Sequence, residues 1–179
     1  ISHQFNHGWP GSTLTNGEYV IAQEVTRDYL FQWFFSRMPL FIFIGIFLFA
    51  WFLFNRSISL NTYSEYSIVI IFFVFASFPL LRPTAYDGLR HFLFIIPYLV
   101  IIFIEVIDLI LKKPSKSAKL FILFIFIYSV FTQIGLGPYK YSYFNETVSI
   151  EETAYFCEES IDGCGNWPTD YWGYKGKEI

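Results

Sequence analysis

Long apolar runs alternate with short polar connectors along this chain. The candidate membrane segments are four runs, at residues 38–54, 67–81, 92–111 and 120–136. A helix needs about 20 predominantly apolar residues to cross about 30 Å of hydrocarbon. The pattern therefore predicts an all-α polytopic membrane protein with about four transmembrane helices.

The run at 67–81 is shorter than a full crossing, and Pro79 stands near its end. Proline kinks or stops a helix, because it lacks a backbone N–H and its ring clashes with the preceding turn. Two interpretations stay open. The run is either a tilted or broken helix that unwinds into residues 82–91, or a full crossing that recruits Tyr66.

Polar and aromatic segments flank the apolar region on both sides. Residues 1–37 contain glycines that predict turns, followed by an amphipathic pattern at 24–35 that is typical of a helix lying at a membrane interface. Residues 137–179 are rich in Tyr and Trp, which favour the headgroup level of a bilayer. We expect an external N-terminal loop with an interfacial helix, and a small external C-terminal tail.

Composition agrees with the membrane assignment and excludes some other classes. The chain is 54% hydrophobic and only 15% charged, with a mean hydropathy of +0.43, which is too apolar for an ordinary soluble domain. The net charge of -3 and the lack of a basic stripe argue against a nucleic-acid partner. Since no nucleotide fingerprint or metal-ligand spacing is present, the sequence predicts neither a cofactor nor a metal site.

The distribution of lysines predicts the orientation. Four of the twelve basic residues lie in the short connector 112–119. Short loops rich in Lys and Arg stay on the cytoplasmic side. Counting crossings from this loop places residues 82–91 and the tail 137–179 outside the cell.

The segment 82–91 is a dense cluster of ionisable residues between two apolar runs. One interpretation is that Arg90 and His91 bind a phosphate at the membrane surface, Arg through its planar set of donors and His as a pH-tunable donor. The alternative is that both are interfacial anchors, with Asp87 pairing to Arg90 across one helical turn. Ionisable residues at the rim of a membrane favour the functional interpretation.

Two acidic residues, Glu105 and Asp108, lie three positions apart within the third apolar run and share a helix face. A proton relay is one hypothesis. Pairing with Lys112 and Lys113 at the cytoplasmic end is the interpretation that we favour, because both carboxylates lie close to these lysines along the helix.

The two cysteines, Cys157 and Cys164, bracket a short acidic stretch of the tail. On the external side an oxidising compartment favours a disulfide between them over free thiols.

Several stretches resemble a known enzyme family. The segment Tyr86–Pro97 resembles the polar-turn-into-helix motif of bacterial membrane glycosyltransferases of the GT-C class. These are relatives of the protein O-mannosyltransferases and aminoarabinose transferases, of the glycosyltransferase family 39 type. Further agreement is found in Gly8-Trp-Pro-Gly11 with Asn16-Gly-Glu18, in Pro138–Asn145 and in Thr169–Gly173.

The resemblance implies an enzyme of the bacterial inner (plasma) membrane that moves a sugar from a polyprenyl-phosphate donor to an acceptor on the external, periplasmic face. Arg90 and His91 would then lie near the donor phosphate. The other candidates to line the site are Tyr86, Asp87, Tyr139, Tyr141, Asn145, Asp170 and Tyr171.

This sequence departs from the family pattern at two points. Leu89 stands where an aromatic residue is expected. The catalytic aspartate of the family, in the first external loop after the first span, has no counterpart, so the catalytic residue is unknown. We therefore expect a C-terminal portion that is inactive alone and has the remaining N-terminal part of the enzyme and membrane lipid as partners. The alternative is a small non-catalytic accessory or lipid-binding membrane protein.

Overall fold

The computed structural model of this chain describes residues 11–55, 60–112, 116–135, 143–148, 153–154 and 167–168, and most of these are helical. A short 3-10 helix, Arg90–Ile95, runs directly into the fourth α-helix. The α-helices of the described part are α1 (Tyr29–Arg37), α2 (Leu40–Phe54), α3 (Thr62–Leu81), α4 (Ile96–Lys112) and α5 (Lys116–Gly135).

Among the described residues, two helical segments are long and apolar enough to cross a membrane, namely α3 and the continuous stretch Arg90–Lys112. A third candidate is obtained only if α1 and α2, which are joined at a break in the helix, are counted as one span. Alone, α2 has 15 residues and is about 22 Å long at about 1.5 Å per residue, which is short of the hydrocarbon thickness. The apolar part of α5, Lys119–Thr132, is also short. The remaining two crossings stay a prediction.

The helix α3 begins earlier than the apolar run that predicted it. It includes Thr62 to Ser67, and it continues through Pro79 to Leu81, for a length of 20 residues. Pro79 lies inside the helix, two residues before its end, so it removes one backbone hydrogen bond without ending the helix there. The helix thus includes Tyr66 and has the length that the full-crossing interpretation expects, and it does not break within the apolar run. It ends at Leu81, directly before residues 82–91, and a tilt across the membrane stays a prediction.

A β-hairpin precedes α1, where the sequence had indicated only turns. Its strands are β1 (Ser12–Thr15) and β2 (Glu18–Ile21), which pair antiparallel. The connecting residues Asn16 and Gly17 have φ angles of 51° and 83°. A two-residue loop with positive φ at both positions matches the right-handed twist of the strands, and Asn-Gly is the preferred pair there.

The helix α1 begins at Tyr29, so the amphipathic segment predicted at 24–35 is helical only in its second part. The carboxylate of Asp28 accepts a hydrogen bond of 2.7 Å from the Gln32 side chain one turn later. The helix ends at Arg37, because Met38 precedes a proline and adopts an extended conformation. A very short parallel pair, β3 (Thr153–Ala154) with β4 (Trp167–Pro168), lies in the tail.

The chain divides into two compact units. The first comprises residues 1–38, 74–93 and 141–179, and its core surrounds one face of α1. The buried members of this core are Val25, Tyr29, Leu30, Trp33, Phe78 and Ala85.

The second unit comprises residues 39–73 and 94–140. Its core lies where α2 meets α4, with Phe49, Ile102 and Val106 buried. Gly45 permits this close approach, since a Cβ atom built there would lie 2.4 Å from Cδ2 of Phe103.

Candidate functional site

The segment 82–91 begins where α3 ends. Arg82 has a φ angle of 46° and its N–H donates to the carbonyl of Phe78, which closes the last turn of the helix. Pro83 follows and cannot continue the helix. The buried Ala85 then donates its N–H to the carbonyl of Ala22 at 3.0 Å. These bonds hold the segment against the stretch of chain that joins the hairpin to α1.

Asp87 and Gly88 form a tight turn in the middle of the segment, with φ angles of 56° and 66°. Positive φ is unfavourable for a residue with a Cβ atom, and Asp tolerates it better than most. Gly88 packs so closely on Trp33 that an added Cβ would lie 2.7 Å from Cε3 of the indole. Its N–H donates to the hydroxyl of Tyr29 at 3.0 Å. The turn is therefore held by the buried face of α1.

Asp87 and Arg90 form an ion pair, with 3.0 Å between Nη1 and Oδ2. The two side chains differ greatly in exposure, because that of Asp87 is 7% exposed and that of Arg90 is 54% exposed. Oδ1 of Asp87 is buried and has no hydrogen-bond donor among the described residues. The sequence left an ion pair between Asp87 and Arg90 as the alternative to phosphate binding, and this ion pair is present. The guanidinium of Arg90 nevertheless reaches the surface.

Tyr86 and His91 contact each other edge to face, with ring centroids 4.5 Å apart. His91 is exposed and Tyr86 is partly buried. Residues 86, 87, 90 and 91 therefore lie together, as the sequence predicted from their proximity along the chain.

This arrangement presents cationic and neutral N–H donors at one surface. A guanidinium carries five N–H donors in a fixed plane, and its hydrogen bonds to phosphate oxygens are stronger than neutral ones. The buried carboxylate of Asp87 orients Arg90 from the protein side. Charged N–H donors of this kind are the groups that bind anions in proteins.

Asn145 lies in the same compact unit but at the other end of α1. Its side-chain Nδ2 donates to the carbonyls of Phe35 and Met38, and its N–H donates to the carbonyl of Ser36 at 2.9 Å. The last carbonyls of a helix lack partners within the helix. Asn145 is 2% exposed and supplies those partners across more than one hundred residues of sequence.

Arg37, the last residue of α1, is fixed beside this cap. Its Cζ lies 3.7 Å from the ring centroid of Phe144 and 5.3 Å from that of Trp33. Nη1 donates to the carbonyl of Tyr143 at 2.8 Å. A guanidinium over aromatic faces is a stabilising cation–π contact. Arg37 and Asn145 thus attach residues 143–148 to α1.

The remaining predicted site residues lie outside the described residues. These are Tyr139, Tyr141, Asp170 and Tyr171, together with the predicted disulfide partners Cys157 and Cys164.

The two carboxylates of α4 have different partners. Asp108 forms an exposed ion pair with Lys112, which agrees with the pairing interpretation. Glu105 instead accepts hydrogen bonds from the side chains of Asn61 and Ser64 at the start of α3. These hydrogen bonds connect the start of α3 to α4, and Ser64 is buried at this contact.

A small polar cavity of about 110 Å³ lies between the hairpin and α1 and was not predicted. Gln32 lines it and donates to Asp28, and this hydrogen bond lowers the pKa of Asp28 below its ordinary value. The spacing of four residues between Asp28 and Gln32 was the sequence feature that could have predicted their hydrogen bond.

A larger cavity of about 270 Å³ in the second unit is lined almost wholly by apolar side chains, such as Phe41 and Phe121.

In the part of the chain that the structure describes, the fold is predominantly helical, with two helices long and apolar enough for a membrane and an ion-paired cluster at the start of one of them. Comparison with known proteins finds no match, either to a protein-family model, to a curated protein or to a solved structure.

Proposed function

We propose that this chain supplies the donor-phosphate site of a membrane glycosyltransferase, which moves a sugar from a polyprenyl-phosphate carrier to an acceptor on the external face. The observation that supports this most directly is Arg90. Its guanidinium is half exposed and forms an ion pair with the buried carboxylate of Asp87. Arg90 is also the first residue of the apolar stretch Arg90–Lys112. The phosphate of a membrane lipid lies at the level where such a span ends.

The chemistry of the transfer requires a cation at this position. When the bond from sugar to phosphate breaks, negative charge develops on the departing phosphate, and a fixed cation stabilises it. Arg90 is suited to this role because Asp87 limits its rotation before the ligand arrives. The adjacent exposed His91 provides a further donor whose charge depends on pH.

The location follows from the charge asymmetry of the sequence. The lysines of residues 112–119 favour the cytoplasm. One crossing by Arg90–Lys112 would then bring Arg90 to the external side of a bacterial inner membrane, and a crossing by the fourth apolar run would bring the C-terminal tail to the same side. Labelling of single cysteines introduced at positions 90 and 116 with an impermeant reagent in intact cells tests this, since it should modify only position 90.

Phosphate binding is tested with farnesyl phosphate as the probe and farnesol as the uncharged control. The purified chain in detergent should bind farnesyl phosphate, and Arg90→Ala should weaken binding by about tenfold or more, because a charge-assisted hydrogen bond contributes about 1.5–3 kcal/mol. Arg82→Ala is the matched control. Arg82 lies in the same segment, and within the described residues its side chain makes a single long contact, of 3.5 Å to the carbonyl of Val25.

Equal affinities for farnesyl phosphate and farnesol, or equal losses in the two variants, would refute the phosphate site. In the complete enzyme, Arg90→Ala should abolish sugar transfer without reducing expression. The chain could also bind farnesyl phosphate specifically while no protein complex that contains it transfers a sugar. That result would favour the alternative of a non-catalytic lipid-binding protein.

A further inference from the structure

Trp33 contacts two parts of the chain that are remote from each other in sequence. Its indole is buried, and a Cβ atom built at Gly88 would lie 2.7 Å from Cε3 and 2.9 Å from Cζ3 of that ring. The ring of Phe144 is also a neighbour, with 6.3 Å between the two ring centroids. Trp33 therefore joins the turn at Asp87 and Gly88 to residues 143–148, and all of these residues belong to the first compact unit.

Polar and cationic contacts fix the position of the indole. Its N–H donates to Oγ1 of Thr15 at 3.2 Å, and Cζ of Arg37 lies 5.3 Å from its ring centroid. The same guanidinium lies 3.7 Å from the ring centroid of Phe144, so one cation contacts both aromatic rings. Protein interiors are close-packed. Removal of the Phe144 ring therefore leaves space into which the indole can shift.

The turn at Asp87 and Gly88 depends on this support. Its two φ angles are 56° and 66°, and a strained backbone of this kind persists only where the surrounding structure holds it. The supports are the indole of Trp33 and the hydroxyl of Tyr29, which accepts the N–H of Gly88 at 3.0 Å. When the indole shifts, the turn relaxes and the carboxylate of Asp87 moves with it.

Asp87 passes this change on to Arg90. Its Oδ2 lies 3.0 Å from Nη1 of Arg90, and its side chain is almost wholly buried, so the backbone of the turn sets the position of the carboxylate. A displacement of about 1 Å is enough to weaken a preorganised binding site. The orientation of the Arg90 guanidinium is therefore sensitive to the packing around Trp33.

Residues 143–148, which we call the clamp segment, supply the other end of this connection. Phe144 and Val148 pack against the core that contains Trp33. Asn145 attaches the segment to α1, since its Nδ2 donates to the carbonyl of Met38 at 2.8 Å. The ring of Phe144 contacts the indole only while the clamp segment is attached, so attachment and the geometry of the turn are linked.

We propose that Trp33 and Phe144 are positioning residues of the anion site, which consists of Arg90 and its partner Asp87. Attachment of the clamp segment to α1 then sets the affinity of Arg90 for a phosphate. The identity of the ligand rests on the proposed function, whereas the connection through Trp33 rests on the packing itself. Neither aromatic side chain touches the phosphate, and no bond is made or broken.

The first test is isothermal titration of the purified chain in detergent with farnesyl phosphate. Phe144→Ala should raise the Kd by about threefold to tenfold, because substitutions along a packed connection change the coupling between two sites by such factors. Phe144→Tyr keeps the ring and should restore the Kd of the unchanged chain. Glu146→Ala is the matched control, since Glu146 lies in the clamp segment and is exposed. A merely structural role of Phe144 would lower the fraction of chain that binds and leave the Kd unchanged.

The second test is hydrogen exchange, and it includes a measurement on the unchanged chain. Coupling between two sites is reciprocal, so farnesyl phosphate should slow exchange of the Asn145 and Val148 amides, which donate to backbone carbonyls. Farnesol should leave both rates unchanged. Without any ligand, the Gly88 amide should exchange faster in Phe144→Ala than in Glu146→Ala.

The proposal is overturned if Phe144→Ala and Glu146→Ala bind farnesyl phosphate with the same Kd. It is equally overturned if Phe144→Ala does not fold and farnesyl phosphate leaves exchange in the clamp segment of the unchanged chain as it was. Failure of the proposed function looks different. In that case the unchanged chain does not bind farnesyl phosphate, while the ligand-free exchange of Gly88 still decides whether Phe144 supports the turn.

Discussion

The contact between Asn145 and the end of α1 yields a quantitative prediction. In Asn145→Ala, the carbonyls of Phe35 and Met38 lose the Nδ2 donor, whereas the backbone bond to Ser36 can remain. A net hydrogen bond contributes about 0.5–1.5 kcal/mol, and a buried carbonyl left unpaired costs about 1–3 kcal/mol. Removal of the side chain gives these carbonyls partial access to water, which reduces the cost of leaving them unpaired. We therefore expect the free energy of unfolding to fall by about 2–4 kcal/mol.

The assay is thermal unfolding in detergent, followed by intrinsic tryptophan fluorescence. For a chain of this size, a decrease of about 1 kcal/mol in the free energy of unfolding lowers the midpoint temperature by about 2–4 °C. The midpoint of Asn145→Ala should therefore fall by about 4–16 °C. Glu146→Ala is the control, because Glu146 is the exposed neighbour, and surface substitutions of this kind change stability by about 0.5 kcal/mol or less.

Hydrogen exchange shows where the stability is lost. Amides of α1 should exchange faster in Asn145→Ala, since the cap connects this helix to residues 143–148. Equal midpoints for Asn145→Ala and Glu146→Ala, with unchanged exchange in α1, would show that the cap contributes nothing and that our reasoning about it is wrong.

Two glycine substitutions test close packing, and Gly135→Ala is the control for both because a Cβ there meets nothing within 4 Å. Gly88→Ala should lower the midpoint of thermal unfolding by several degrees, because it combines a positive φ with a clash against Trp33. Gly45→Ala should lower the free energy of unfolding by about 1–3 kcal/mol, since the ring of Phe103 must move to make room for the added methyl group. A midpoint for either variant equal to that of Gly135→Ala would contradict the packing described.

Much of the organisation was readable from the sequence because it depends on neighbours along the chain. Apolar runs predicted the helices, and two of those in the described residues are long and apolar enough to cross a membrane. The ion pair of Asp87 with Arg90 and that of Asp108 with Lys112 follow from spacings of three and four residues. Helix limits were less accurate, as the start of α3 at Thr62 illustrates, because polar residues that extend a helix carry no hydrophobic signal.

The sequence by itself therefore determined most of the helices of the described residues, including two that are long and apolar enough to cross a membrane, and the cluster around Arg90. Only the tertiary structure decided that Asn145 caps α1, that Gly88 lies on Trp33, and that the hairpin and α1 enclose a polar cavity around Gln32. The physical reason is distance along the chain. Hydrophobic period and charge spacing describe one segment at a time, whereas a cap or a cavity exists only after folding has brought remote backbone carbonyls and side chains together.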